Sequence, residues 1–286
     1  MTAQAVIDTH LHLWNPEQLD YEWLSYVPTI AGPHGTAQWT AQNIDITGAV
    51  FVQSDCAPQQ ALAEIEWVSG LAKNIPVLGI VAYAPLEAGE GVTKHIVAMT
   101  ANPLVRGVRR SVQNEPDGFM DDTYLEGLII AAEAGLSIDM CARDHQLPRL
   151  SEILKRLLDR VPGAVIIMDH LGKPDIKAHG QNIHAVGWAT SMRALAALPN
   201  VFVKISGLTT QADWDHWRPE TLRPYIDFAI DVFGPERCLF GGDWPVVDLA
   251  GGYARWRAVF DEALSGLTPQ AQAHIRCDTA RRVYRL

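Results

Sequence analysis

Val6-Ile7-Asp8-Thr9-His10-Leu11-His12 is the stretch of sequence that decides the fold. It is a short run with the β-branched residues Val6, Ile7 and Thr9, and it ends in His10-Leu11-His12, which is typical of a strand with polar groups at its carboxyl end. A doubly wound open sheet would place a Gly-x-Gly-x-x-Gly turn after its first strand. A long loop rich in aromatic residues follows His12 instead. The stretch therefore favours a (β/α)8 barrel, with the open sheet as the alternative.

Seven further strand-like runs extend this pattern along the chain. The predicted strands are Val6–His12, Ala49–Gln53, Val77–Tyr83, Val105–Arg109, Ser137–Cys141, Ala164–His170, Val201–Ser206 and Cys238–Asp243. Amphipathic stretches lie between them, among them the predicted helices Thr123–Gly135, Gln146–Val161 and Pro219–Phe233. Because no linker or change of composition divides the chain, we expect residues 1–286 to form a single α/β domain, a TIM (β/α)8 barrel.

Composition excludes several classes of protein. Apolar residues make up 48% of the chain, which excludes a disordered protein. The 33 acidic residues exceed the 23 basic ones by 10, so no nucleic-acid partner is expected. The sequence contains no apolar run long enough for a membrane helix. Oligomeric state is not readable from the sequence, and a homo-oligomer is compatible with it.

The amino-terminal sequence and the spacing of the cysteines both favour a cytoplasmic protein. The start, Met1-Thr2-Ala3-Gln4, has neither the basic region nor the apolar core of a signal peptide. The four cysteines, Cys56, Cys141, Cys238 and Cys277, are widely spaced and are expected to be buried thiols.

Polar residues gather at the carboxyl ends of the predicted strands, where barrel enzymes place their active sites. They are His10, His12, Gln53, Arg109, Cys141, Arg143, His170, Lys204, Ser206 and Asp243. Side-chain alternation places Asp8, His10 and His12 on one face, and points Phe202, Lys204 and Ser206 into the barrel. On the sixth strand His170 shares a face with Met168, and Asp169 points the other way. These faces predict a convergent cluster of three histidines and Asp243, flanked by Arg109 and Lys204.

Each of these residues also has a purely structural interpretation. A buried histidine can bond a carbonyl, Asp243 can cap the following helix, and Arg109 can form a surface ion pair. Lys204 can extend its ammonium to solvent. Tryptophans of the loops can pack the barrel mouth, although Trp14 and Trp244 adjoin His12 and Asp243 and are predicted to be pocket walls that contact substrate.

The order of these motifs resembles the amidohydrolase superfamily, in the lactonase branch that includes L-fuconolactonases, L-rhamnonolactonases and pyrone-dicarboxylate lactonase. The matching segments are residues 8–14 with Pro16, Tyr21, Trp23 and Leu24, then residues 106–109, 169–174, 203–208 and 241–246. The resemblance implies a distorted barrel with its site at the strand ends. It also implies hydrolysis of a cyclic ester formed from a sugar acid or a related dicarboxylate.

The metal content stays open at the level of sequence. Binuclear members of the superfamily use a bridging lysine on strand four and a histidine on strand five, where this chain has Arg109 and Cys141. The residues His10, His12, His170 and Asp243 form a nitrogen and oxygen set that suits one zinc ion. The same four residues also suit metal-independent catalysis by hydrogen bonding.

The predicted function is hydrolysis of an aldonolactone in carbohydrate catabolism. Asp243 is expected to activate water, His10, His12 and His170 to polarise the carbonyl, and Arg109 and Lys204 to bind substrate oxygens. A neutral lactone such as L-fuconolactone or L-rhamnonolactone is preferred, because no cluster of several arginines suggests two substrate carboxylates. The alternatives are a metal-dependent decarboxylase of an aromatic acid in the same superfamily, and a non-catalytic sugar-acid binding protein.

Overall fold

A computed structural model describes residues 5–116 and 118–286, so the predicted absence of a signal peptide at residues 1–4 lies outside the described residues. Eight parallel strands follow one another around a barrel in chain order. They are β1 (Ile7–Leu11), β2 (Gly48–Val52), β3 (Val77–Ala82), β4 (Val105–Arg109), β5 (Ser137–Met140), β6 (Ile166–Met168), β7 (Val201–Ile205) and β8 (Cys238–Phe240). The predicted barrel and all eight predicted strands are confirmed, although β6 and β8 are shorter than expected.

Helices connect the strands around the outside of the barrel. The α-helices are α1 (Thr36–Gln42), α2 (Ala61–Leu71), α3 (Thr93–Thr100), α4 (Asp122–Glu133), α5 (Leu147–Arg160), α6 (Ile176–His179), α7 (Trp188–Ala196), α8 (Leu208–Gln211), α9 (Pro219–Phe233), α10 (Tyr253–Leu264), α11 (Pro269–Ala273) and α12 (Thr279–Tyr284). A π-helical turn, His274–Asp278, joins the last two. The three predicted helices correspond to α4, α5 and α9. Within the described parts of the chain, none of these helices has the length and apolarity needed to cross a bilayer.

The barrel closes through the residues that follow β1 and β8. The backbone N–H of His12 donates to the carbonyl of Trp244, and the N–H of Asp243 donates to the carbonyl of His10, both at 2.8 Å. Together with an isolated parallel β-bridge between Leu11 and Trp244, these bonds take the place of a regular hydrogen-bond ladder between β1 and β8. The seam of the barrel therefore holds His10, His12 and Asp243 next to one another.

The predicted side-chain faces are confirmed on β7 and are partly wrong on β1. Val201, Val203 and Ile205 pack against the outer helices, whereas Phe202 and Lys204 point into the barrel. On β1 the register with β2 shifts between Asp8 and Leu11. This irregularity breaks the alternation, so Asp8 does not join the histidines. Its carboxylate accepts hydrogen bonds from the Gly242 N–H at 2.8 Å and the Tyr253 hydroxyl at 3.0 Å.

The interior of the barrel has an apolar floor and a polar layer above it. The floor combines strand residues with residues of the π-helical turn and α12: Ile7, Val50, Val52, Val81, Ile167, Phe202, Leu239, Cys277, Ala280, Val283 and Tyr284. The polar layer consists of fully buried side chains that include Asp139, Asp169 and Lys204. Burial of all four cysteine thiols, which was expected, is confirmed.

Candidate active site

Three side chains from the barrel seam converge at the carboxyl end of the strands. The Nε2 atoms of His10 and His12 lie 3.2 Å apart. The Oδ1 atom of Asp243 lies 3.8 Å from the first and 3.7 Å from the second. All three residues are buried. The sequence prediction that His10, His12 and Asp243 meet is therefore confirmed.

His170 reaches the same region through an unusual backbone turn. Directly after β6 the chain leaves the extended conformation, and His170 has a φ of 54°. Its ring centroid lies 4.3 Å from that of His10, and its Nδ1 atom lies 2.9 Å from the Ser206 hydroxyl. Gly207 makes room for this ring, because a Cβ there would lie 2.3 Å from His170 Nδ1. A φ of 63° at Gly207 adds a second reason for glycine at this position.

The same turn reverses the prediction made for Asp169. Because β6 ends at Met168, the alternation that pointed Asp169 away from the site does not extend to it. Its carboxylate lies 3.3 Å from Arg109 Nη1, 3.0 Å from Lys204 Nζ and 3.3 Å from His10 Nδ1. Asp169 is thus a site residue that sequence reasoning missed.

Asp139 is the second missed carboxylate. It lies on β5 between two apolar residues, Ile138 and Met140, and bonds the ammonium of Lys204 inside the barrel. An acid between two apolar residues of a predicted strand was the available signal, since a buried carboxylate needs a partner. Lys204 therefore does not extend its ammonium to solvent. It is fully buried and bridges two carboxylates beneath the histidines.

Burial and charge set the protonation of these groups. Burial lowers the pKa of His10 and His170 well below the usual value and lowers that of His12 to about 3, so all three rings are neutral at neutral pH. Burial alone would raise the pKa of Asp169, but Lys204, His10 and Arg109 hold it well below its usual range. Asp169 is therefore ionised at neutral pH.

Asp243 behaves in the opposite way. Burial raises its pKa to about 7, and the nearby cations Lys173 and Arg109 only partly offset the effect of burial. The backbone of Asp243 is also held in the left-handed region, with a φ of 59°. Non-glycine residues in this region are uncommon and gather at functional sites. A carboxyl group with this pKa can both accept and return a proton near neutral pH.

A cavity of about 230 Å³ opens above these residues. Its lining includes His12, Arg109, His170 and Asp243, together with Trp23, Ser54, Asp55, Gln113, Asn114, Cys141, Lys173, Thr210 and Val246. A wider depression of about 680 Å³ adjoins it and shares Lys173 and Thr210 as a common wall. Arg109, a predicted substrate contact, thus lies in the cavity lining, where it also donates to the Gln53 carbonyl at 2.6 Å.

The structure does not place three of the predicted substrate contacts in the cavity lining. Trp14 and Trp244 are both fully buried and do not line the cavity. The Trp14 indole donates to the carbonyls of Ile30 and Gly32, and Trp244 packs against His34. Lys204 lies below the cavity, as described above. The aromatic wall is Trp23, whose indole N–H donates to the Ser54 carbonyl at 2.8 Å.

The donor set fits one divalent metal ion. Three atoms separated by 3.2, 3.7 and 3.8 Å each lie about 2.1 Å from the centre of their triangle, which matches zinc–ligand distances of about 2.0–2.2 Å. His170 is not part of this triangle. It falls in a second, overlapping group with His10 and Asp169. Lys204 and Arg109 already neutralise the charge of Asp169 in this second group, so the described residues favour one ion, bound by His10, His12 and Asp243. The predicted four-residue ligand set is thus divided, because His170 belongs to the second group only.

Comparison with known proteins places the chain in a family. The sequence profile described as amidohydrolase matches residues 7–286. The chain belongs to the amidohydrolase family and is a hydrolase. An L-fucono-1,5-lactonase from Burkholderia ambifaria is 31% identical to it, over 98% of this chain and 95% of the lactonase. An L-fucono-1,5-lactonase from Burkholderia multivorans is 29% identical, over 98% and 96% of the two chains.

A solved structure supports the same relationship. An amidohydrolase from Burkholderia multivorans with bound zinc is 26% identical to this chain and superimposes with a TM-score of 0.83 over 99% of both chains. The family resemblance seen in the sequence motifs is therefore confirmed.

Proposed function

We propose that the protein opens the cyclic ester of a sugar-acid lactone with water activated by Asp243. One observation carries this proposal. A carboxyl group with a pKa near 7 lies in a cavity wall and faces two neutral imidazoles at less than 4 Å. The lactonase names of two relatives that match nearly the whole chain support the choice of bond.

Proton transfer through Asp243 balances the reaction. The carboxylate takes a proton from water as the water oxygen attacks the lactone carbonyl carbon. It then gives that proton to the ring oxygen as the carbon–oxygen bond breaks, so the product is an open-chain hydroxy acid. General acid–base catalysis of this kind typically contributes about 10²–10⁴ in rate.

The remaining residues stabilise the charge that develops on the carbonyl oxygen. His170 lines the cavity and is the group that polarises the carbonyl directly, with the ring of His10 packed against it. His12 also lines the cavity, and because its Nδ1 proton faces the Val52 carbonyl, its Nε2 lone pair would act on the carbonyl through a bound metal. A zinc ion held by His10, His12 and Asp243 would supply Lewis acidity at this position. Arg109 orients the substrate, since its guanidinium is fixed by Asp169 and by the Gln53 carbonyl.

The other residues of the cavity lining suit a hydroxylated, uncharged ring. Asp55, Gln113 and Asn114 present carboxylate and amide groups to the cavity, and Trp23 presents an aromatic surface. Asp55 has a φ of 54° and is fixed by two hydrogen bonds with the Gln53 side chain. Such groups bind sugar hydroxyls, and Asp55 disfavours a substrate carboxylate beside it. L-fuconolactone and L-rhamnonolactone are the preferred candidates.

A panel of lactones in a pH-indicator assay tests the proposal. The panel contains L-fucono-1,5-lactone, L-rhamnono-γ-lactone, their enantiomers and 2-pyrone-4,6-dicarboxylic acid, each with and without chelator. A second assay measures carbon dioxide release from aromatic acids. Acid release from an aldonolactone above the rate given by Asp243→Asn protein is the expected result. Carbon dioxide release from aromatic acids without lactone hydrolysis would overturn the proposal in favour of a decarboxylase. No turnover in either assay would indicate a binding protein.

A further inference from the structure

The carboxyl-terminal helix α12 enters the barrel from the end opposite the cavity. Its residues Ala280, Val283 and Tyr284 pack against interior residues of the strands and complete the apolar floor. Tyr284 is fully buried, and its ring extends upward to the polar layer. Its hydroxyl donates to Asp139 Oδ2 at 2.8 Å. This contact joins a distant helix to the charged groups under the site.

A continuous set of contacts leads from that hydroxyl to His10. Asp139 Oδ2 also accepts a hydrogen bond from the ammonium of Lys204, which lies 5.7 Å from the centre of the Tyr284 ring. The same ammonium lies 3.0 Å from Asp169 Oδ1 and 3.2 Å from His10 Nδ1. All of these groups are buried, so water cannot replace a lost partner without disturbing its neighbours.

We infer that Tyr284 is a positioning residue for the active site and that it acts on His10 through Asp139 and Lys204. The inference rests on the proposed function in so far as His10 belongs to the reacting centre. The ammonium of Lys204 contacts the carboxylates of both Asp139 and Asp169, and the Tyr284 hydroxyl fixes the position of the Asp139 carboxylate. Without that hydroxyl the Asp139 carboxylate keeps Lys204 as its hydrogen-bond donor but loses the contact that fixes its position. The Lys204 ammonium then moves with the carboxylate, and its hydrogen bond with His10 Nδ1 changes.

The orientation of His10 matters because its other nitrogen faces the cavity residues. His10 Nδ1 lies between Asp169 Oδ1 at 3.3 Å and Lys204 Nζ at 3.2 Å, so the position of Lys204 decides which partner the ring bonds. That choice determines whether Nε2, beside His12 and Asp243, carries a proton or a lone pair. Outer partners of this kind typically change activity by about 10–100-fold when they are removed.

The test compares Tyr284→Phe with Val283→Ala. Both residues are buried in the barrel floor, but Val283 has no polar contact with the network, so its substitution reports the effect of loosening α12 alone. The ring nitrogens of His10 are observed by nuclear magnetic resonance on protein labelled with ¹⁵N-histidine. Their resonances are assigned as those that disappear in His10→Gln. Metal content is matched between samples by elemental analysis, and kcat and KM are measured on the best lactone.

We expect Tyr284→Phe to move the His10 resonances and to lower kcat about tenfold with KM unchanged, and Val283→Ala to do neither. The inference is overturned if the His10 resonances of Tyr284→Phe match those of the unaltered protein, if Val283→Ala moves them equally, or if they move while kcat stays the same. If no lactone is hydrolysed, the proposed function fails, and the resonances alone decide whether Tyr284 positions His10.

Discussion

The Nδ1 atom of His12 lies 2.8 Å from the carbonyl oxygen of Val52. A carbonyl only accepts hydrogen bonds, so the neutral ring carries its proton on Nδ1 and directs the lone pair of Nε2 toward His10 and Asp243. Backbone bonding of one nitrogen in this way commonly prepares the other for a metal. The contact therefore prepares His12 as a metal ligand, and without a metal its Nε2 accepts a hydrogen bond instead of donating one to the substrate carbonyl.

Zinc binding is expected at one ion per chain. Protein stripped with chelator and titrated with Zn²⁺ should bind a single equivalent, and His12→Asn should weaken that binding by about 100-fold or more because a ligand is lost. The matched control is His216→Asn, which alters an exposed cluster with Asp213 and Asp215. Equal zinc affinity in His12→Asn and the unaltered protein would contradict the assignment of the ligands.

Asp243→Asn is expected to lower kcat by about 10²–10⁴ while the melting temperature changes little. Asparagine keeps the shape of the side chain and cannot accept the proton of the attacking water. Asp159→Asn, an exposed change on α5, is the control for loss of one negative charge. Steady-state kinetics and thermal unfolding on both variants check the prediction, and near-normal kcat in Asp243→Asn would exclude it as the base.

Two tryptophans of the first loop should respond differently to truncation. Trp23→Ala removes a cavity wall and is expected to raise KM several-fold. Trp14→Ala leaves a hole among buried residues and should lower the free energy of unfolding by about 3–5 kcal/mol. Chemical denaturation and kinetics on both variants separate the effects. A KM effect in Trp14→Ala without loss of stability would restore the sequence-based prediction that Trp14 contacts substrate.

Glu64 makes stability depend on pH. It is buried on α2, and burial raises its pKa to about 8 from a model-compound value of 4.5. The folded protein thus holds this proton more tightly than the unfolded chain. Its contribution to stability is complete below pH 4.5 and is lost as the pH rises through about 8. Glu64→Gln should therefore weaken the decline in unfolding free energy between pH 6 and pH 8, measured by urea denaturation, relative to an exposed control, Glu66→Gln. An identical decline in both variants would show that Glu64 is ionised in the folded state.

Lys204→Met should be strongly destabilising. The substitution leaves Asp139 and Asp169 buried without their shared cation, and loss of one partner of a buried ion pair typically costs about 3–5 kcal/mol. Lys94→Met, on an exposed position of α3, is the control. Urea denaturation gives the difference. A loss below about 1 kcal/mol, typical of surface ion pairs, would mean that the interior network is hydrated.

The strands and the histidine cluster could be predicted from the sequence because they depend on local patterns. Apolar β-branched runs identify strands, and polar residues at their ends identify the site. Asp169 could not be placed, since its direction depends on the exact residue at which β6 ends. Trp14 adjoins His12 in sequence, but the loop folds back and carries the indole away from the cavity. Tyr284 contacts Asp139 across 145 positions of sequence, a relationship that no local pattern encodes.

The position of α12 has a consequence for the order of events during synthesis. Ribosomes add residues from the amino terminus, so all eight strands leave the exit tunnel before Tyr284 does. Until α12 emerges, Asp139 and Lys204 lack their phenolic neighbour, and the lower opening of the cylinder admits water. The nascent polypeptide is therefore expected to remain loosely assembled, and to depend on protection from aggregation, until α12 has left the ribosome.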